Sequence, residues 1–129
     1  MKLLFGWLAI VLMVFPSCKP QTSYETLEPL EFSELMSYDF HAIVLDVRTP
    51  EEYREGHIEG AVNMDFYADG FEKQLEKLDK EKSYFVYCTV GGRSSSAAKM
   101  MHDKGFHKVH DLSGGIEAWE NSGLPITLD

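Results

Sequence analysis

The sequence predicts an α/β domain with a central, mostly parallel β-sheet flanked by helices on both faces. Two patterns support this. Short apolar runs alternate along the chain with stretches whose apolar residues recur at helical spacing. The run from Ala42 to Val47 is also continuous, as in strands covered on both sides by helical crossovers. A chain of 129 residues, 44% hydrophobic and 26% charged, has room for one such domain and not for two.

From about Glu31 the elements follow in order. "EFSELM" places Phe32, Leu35 and Met36 on one helical face. "AIVLDV", Ala42 to Val47, is rich in β-branched residues and reads as a covered strand. "TPEEYREG" carries a helix start, with Thr49 as N-cap, Pro50 at the first helical position and Glu52 as the capping-box acid, and Gly56 is its stop. "AVNM" is a short strand, and "FEKQLEKL" puts Phe71, Leu75 and Leu78 on one helix face. "SYFVYC" is the next strand, and a helix begins near Ser94 with Ala97, Ala98 and Met101 inward and Gly105 as its C-terminal cap. "KVHDL" reads as an edge strand, "SGG" as a turn, and "IEAWENSG" as a final helix with Ile116 and Trp119 inward.

The first residues belong to a different class. "MKLLFGWLAIVLMVFPSC" has Lys2, an apolar stretch from Leu3 to Phe15, and Cys18 directly after Pro16 and Ser17. The stretch is the length of a signal-peptide core and too short for a comfortable membrane span. It resembles a bacterial lipoprotein signal, although Phe15 departs from the small or aliphatic residue usual three positions before the cysteine. The resemblance implies a signal peptide at 1–17, lipidation of Cys18 and a polar tether to residue 28, leaving 29–129 as the folded domain. An uncleaved anchor and an ordinary secretory signal are the alternatives. The expected location is the cell envelope, exported and held to a bacterial membrane by lipid, facing the periplasm or the cell exterior.

The formal charge is −9 and becomes −10 without Lys2. Such an acidic balance argues against nucleic acid as a partner. Membrane attachment would then depend on lipid and not on a basic patch. With Cys18 acylated, the second cysteine, Cys88, has no partner in the chain, and an unpaired thiol in an exported protein points to reactivity.

Cys88 stands where a strand ends, followed by Thr89, Val90, Gly91, Gly92, Arg93 and Ser94. In open parallel sheets ligands bind at the carboxyl ends of strands. The glycines permit positive φ and close backbone approach, so consecutive N–H groups can form a concave anion site, and the following helix start adds partial positive charge. Both favour thiolate over thiol.

These residues make the chain resemble the rhodanese-like sulfurtransferase family of single-domain type. The resemblance runs from about Leu27 to Leu128 in three parts: "LDVRTPEEYREGHIEGAVNM", "CTVGGRS" and "LSGGIEAWENSGLP". Protein phosphatases and some arsenate reductases of related architecture place one more residue between cysteine and arginine. Here there are four, Thr89 to Gly92, similar to the tighter loop that holds a persulfide sulfur.

The resemblance implies a rhodanese-like fold and a Cys88 nucleophile. Cys88 would take a sulfane sulfur from thiosulfate, a persulfide or a polysulfide and pass it to a thiol, a protein thiol or cyanide. It implies backbone N–H groups of residues 89–93 holding the persulfide, with no metal or organic cofactor. Asp46, Arg48, Glu52 and His57 then form a structural signature that organises the first half of the fold. Many family members carry a basic residue inside the loop where this chain has Thr89 and Val90. Arg93 is the one loop cation, either for substrate or as a brace paired with a nearby acid. A persulfide or polysulfide donor is therefore expected to be used in preference to thiosulfate. His102, His107 and His110 lack a recognised ligand spacing. Two other functions remain open at this level: a docking module in which Cys88 is incidental, and a thiol-redox protein.

Overall fold

A computed structural model describes residues 13–16 and 23–129; Cys18 and most of the signal-like segment lie outside the described residues. The elements are β1 (Ser23–Leu27), α1 (Pro29–Tyr38), β2 (Ile43–Asp46), α2 (Pro50–Glu55), β3 (Val62–Asn63), α3 (Phe71–Glu76), β4 (Ser83–Tyr87), α4 (Gly92–Asp103), β5 (Lys108–Leu112) and α5 (Gly115–Asn121). The strands form one sheet in the order β1-β5-β4-β2-β3, every pair parallel. All five strands therefore end at one edge of the sheet, and the loops leaving that edge form the site.

Both faces are covered, which is why the central strands β2 and β4 are almost continuously apolar. On one face Phe71 and Leu75 of α3 and Ala97, Ala98 and Met101 of α4 pack on Leu45, Tyr84, Val86 and Val109. On the other, Phe32 of α1 and Ile116 and Trp119 of α5 pack on Val44, Phe85, Tyr87 and Leu112. Phe32 is the hub there: its ring meets Phe85 edge-on at 5.1 Å and Trp119 at 6.2 Å. Helix α2 starts as the capping rules require, with the Thr49 hydroxyl accepting from the Glu52 N–H and Glu52 reaching back to the Thr49 N–H.

The structure corrects five local expectations. Residues 23–27, assigned to the tether, form β1, because their partners lie on β5, more than eighty positions away, where local periodicity cannot see them. As a result β5 is an interior strand between β1 and β4 and not an edge. Helix α4 begins at Gly92, two residues before the expected start, since Gly91 at φ 111° makes the turn and its carbonyl already accepts the Ser95 N–H. The strand expected over Ala61–Met64 shrinks to Val62–Asn63. Leu35 stays exposed on α1, because Phe32 alone of the expected trio reaches the core centre.

Phe32→Ala is expected to cost about 3–5 kcal/mol in urea unfolding through the cavity it leaves. Tyr38→Ala, at an exposed position on the same helix, should stay within about 0.5 kcal/mol of wild type.

Candidate active site

Cys88 leaves β4 at the carboxyl edge of the sheet, and its residue is 1% exposed. Its Sγ accepts the Gly91 N–H at 3.1 Å and lies 3.4 Å from Ser94 Oγ. The chain folds back on its own sulfur because Gly91 adopts φ 111°, which an L side chain rarely occupies. Gly92 does not use this freedom: it is the first residue of α4. The sulfur therefore faces one N–H directly and the N-terminal turn of a twelve-residue helix, both of which favour negative charge.

A second turn holds the loop from below. Gly115 has φ 63°, and a Cβ there would lie 2.3 Å from the Thr89 carbonyl oxygen and 2.6 Å from that of Cys88. The close approach lets Ile116 N–H donate to the Cys88 carbonyl at 2.9 Å and Glu117 N–H to the Thr89 carbonyl at 3.2 Å. The start of α5 thus takes up backbone acceptors that a strand end leaves unpaired.

From the side, Glu52 grips the loop. Arg93 donates through both terminal nitrogens to the Glu52 carboxylate at 2.8 and 2.9 Å, and Thr89 Oγ1 donates to the same group at 2.7 Å. The Arg93 guanidinium, with help from Thr89 and Thr49, holds the Glu52 carboxyl well below its usual range despite the opposing effect of burial. Arg93 moves the opposite way, its charge fixed by Glu52 first of all. The arginine thus braces the loop against Glu52, which offsets the charge it would offer to an anion there.

Above the sulfur opens a cavity of about 360 Å3, lined around Cys88 by Phe66, Tyr67, Val90, Arg93 and Ser96. Tyr67 and Val90 are exposed at its mouth, and the Arg93 guanidinium lies 5.6 Å from the Tyr67 ring centre. The entrance is mainly apolar, with one neutralised cation.

The structure brings Cys88, Thr89, Gly91, Arg93, Ser94 and Glu52 together, with Val90 and Gly92 on the cavity wall. Asp46, Arg48 and His57 are buried apart from the sulfur. Asp46 accepts from the Arg48 backbone and guanidinium and, at 2.7 Å, from the Tyr87 hydroxyl; Arg48 also donates to the Gly56 carbonyl. Burial first, and then the Asp46 charge, push the Tyr87 phenol far up, so it stays a donor. His57 stacks on Tyr53 at 3.7 Å and bonds the carbonyls of Tyr53 and Asp129. His107 and His110 pair with Glu81 and Glu25, and His102 lies beside Tyr24, so the three do not converge.

Gly115, Phe66, Tyr67 and Ser96 are site residues that the sequence reading did not single out. The Gly114–Gly115 doublet was a usable signal, since two glycines before an apolar helix mark close backbone approach. The aromatic pair sits in a connection between β3 and α3 with no local pattern that points toward Cys88.

Comparison with known proteins places this geometry in a family. The chain is 41% identical over 91 residues to thiosulfate sulfurtransferase 16 of Arabidopsis thaliana, covering 63% of this chain and 76% of the relative. It is 35% identical over 97 residues to the thiosulfate sulfurtransferase GlpE of Coxiella burnetii, covering 75% and 88%. A solved structure of a rhodanese-related protein from Thermoplasma volcanium matches with a TM-score of 0.72 at 28% identity, over 82% of this chain and 100% of that one. The rhodanese-like domain model matches residues 28–122, a span that includes the Cys88 loop, Glu52 and the Gly114–Gly115 turn, and the chain belongs to that family.

Proposed function

We propose that this protein is a sulfurtransferase that carries a sulfane sulfur on Cys88. The observation that supports it best is the position of Sγ, facing a backbone N–H and a helix N-terminus and opening onto a cavity of small-molecule size. The names of the two sequence relatives agree with it. The Cys88 thiolate attacks the outer sulfur of a donor R–S–S⁻, forming Cys88–S–S⁻ and releasing R–S⁻; with thiosulfate the leaving group is sulfite. An acceptor thiolate R′–S⁻ then takes the outer sulfur as R′–S–S⁻ and returns Cys88–S⁻. The added sulfur extends into the cavity while Gly91 N–H and the first turn of α4 stabilise its charge.

The donor preference follows from the electrostatics. Arg93 is matched by Glu52, so a dianion such as thiosulfate gains little from it. The apolar mouth formed by Tyr67, Val90 and Phe66 suits a persulfide or polysulfide, and a thiol acceptor on a small molecule or protein.

The Cys18 reading belongs to the same proposal. The chain enters β1 at Ser23, five residues after Cys18, at the sheet edge opposite the one from which Cys88 emerges.

Four outcomes test the proposal. The full-length chain exposed briefly to polysulfide should gain about one sulfur atom on the Cys88 peptide by mass spectrometry, more readily than with thiosulfate, and Cys88→Ser should gain none there. No adduct from either donor on a free thiol would move the reading to a docking module. Glu52→Gln should lower the loading rate by about tenfold or more, because Arg93 and Thr89 lose a charged acceptor that shapes the loop. Since the folded carboxyl of Glu52 titrates below its ordinary value of 4.5, its contribution to stability is complete above that pH and disappears only as pH falls through the depressed value. Activity changes between about pH 5 and 8 should therefore be the same in wild type and Glu52→Gln apart from the overall loss. In cells, the wild type should sediment with membranes and Cys18→Ser should move to the soluble fraction.

A further inference from the structure

Two exposed aromatic side chains stand away from the site, and sulfur transfer uses neither. Tyr38, the last residue of α1, is 74% exposed, and Phe40, in the turn that leads to β2, is 95% exposed. Exposed Tyr67 and Val90, by contrast, belong to the cavity mouth. Two neighbouring rings left in water mark a contact surface in a way that an isolated apolar residue does not.

The parallel sheet fixes where they lie. The first residues of the strands stand side by side: Lys108 is in register with Ser23 and with Ser83, and Ile43 with Tyr84. Phe40 comes three positions before Ile43, so it sits at the amino edge of the sheet, opposite the edge from which Cys88 leaves β4. The chain also enters at this amino edge. Ser23 opens β1 five positions after Cys18 and eight after Phe15, where the apolar stretch ends. Five residue steps reach at most about 18 Å even when fully extended, so whatever holds Cys18 keeps this edge close by.

The charges along the edge differ from those of the chain as a whole, whose formal net charge is −9. Lys77 at the end of α3, then Lys80 and Lys82, precede β4, and Lys108 opens β5. The ion pairs among the described residues are made by other cations. Lys80 Nζ instead lies 6.0 Å from the Phe106 ring centre. The acids on the same edge are engaged locally: Asp39 and Asp79 accept the N–H groups of His41 and Glu81, and Glu81 pairs with His107. The opposite edge carries Glu51, Glu55, Asp65, Asp69 and Glu117. The unpaired lysines are therefore gathered at the end where the chain arrives.

We infer that the amino edge of the sheet lies against an anionic bilayer, with Tyr38 and Phe40 at headgroup level and Lys77, Lys82 and Lys108 over the lipid phosphates. Aromatic rings settle at that depth, and an anionic surface attracts lysines while it repels the acids of the far edge. The N-terminal attachment holds the protein to the membrane, and the edge sets which way it faces. The inference rests on the anchor reading of Cys18, or of the apolar stretch before it, and not on sulfur transfer. Its consequence falls on the site: Cys88 opens at the far end of β4, toward donors and acceptors dissolved in water and away from those dissolved in the bilayer.

The test is lysine labelling in the full-length chain, reconstituted either into phosphatidylcholine vesicles or into vesicles that also contain phosphatidylglycerol. A membrane-impermeant acetylating ester is applied, and each lysine peptide is quantified by mass. Sedimentation with the vesicles reads the anchor, and labelling reads the face. Acetylation of Lys77, Lys82 and Lys108 should be at least about threefold lower on the anionic vesicles. Lys73, in the first half of α3, and Lys99, on α4, should be labelled alike on both. Tyr38→Ser combined with Phe40→Ser alters only exposed positions, and it should return the edge lysines toward their phosphatidylcholine level while sedimentation persists. A chain that sediments with neither vesicle would refute the anchor and this orientation with it. Sedimentation with no selective loss of labelling at the edge lysines would leave the anchor standing and overturn the surface.

Discussion

One carboxylate joins three separate segments of this molecule. Glu52 caps its own helix through Thr49, accepts Thr89 from the middle of the cysteine loop, and holds both arms of Arg93 at the start of α4. The bidentate fork fixes direction as well as distance, which a lysine in place of Arg93 would not do. Without it the loop would be anchored only at its base, where α5 meets the carbonyls of Cys88 and Thr89. The position of Gly91 N–H over the sulfur depends on both attachments.

Those attachments require a rigid platform, which the buried polar network provides. Asp46 at the end of β2 is fully buried and accepts from Arg48 and Tyr87, and Tyr87 in turn accepts the Ile58 N–H at 3.0 Å. Asn63 completes it by donating to the carbonyls of Asp46 and Arg48. Every member has a charged or polar partner, the condition under which burying an ion pair specifies one arrangement without a large net cost. The network ties the ends of β2, β3 and β4 together directly beside the site. An aromatic and apolar cavity opens beyond the thiol.

Much of the site could be read locally. The Thr49-Pro50-Glu52 helix start depends only on residues adjacent in sequence, and so does the strand-to-glycine-to-helix transition around Cys88. The second role of Glu52 could not be read that way: the same acid that signals a capping box is also the counterion of Arg93, and those residues are 41 positions apart. Arg93 could be either a substrate ligand or a brace from sequence, and its pairing with Glu52 appears only in the fold. Strand β1 was invisible for a related reason. "SYETL" is polar enough to pass for a tether, and it becomes a strand because β5 offers a parallel partner.

The sequence alone determined the order of elements from α1 to α5, most of the apolar side chains that face the core, and the family resemblance, because each is written in periodicity or in a short motif. The tertiary structure alone decided that Arg93 pairs with Glu52 and that Gly115 closely approaches the backbone of Cys88 and Thr89. These are contacts between residues far apart in the chain, and their geometry comes from the register of parallel strands and the packing of α4 and α5, which no local pattern encodes.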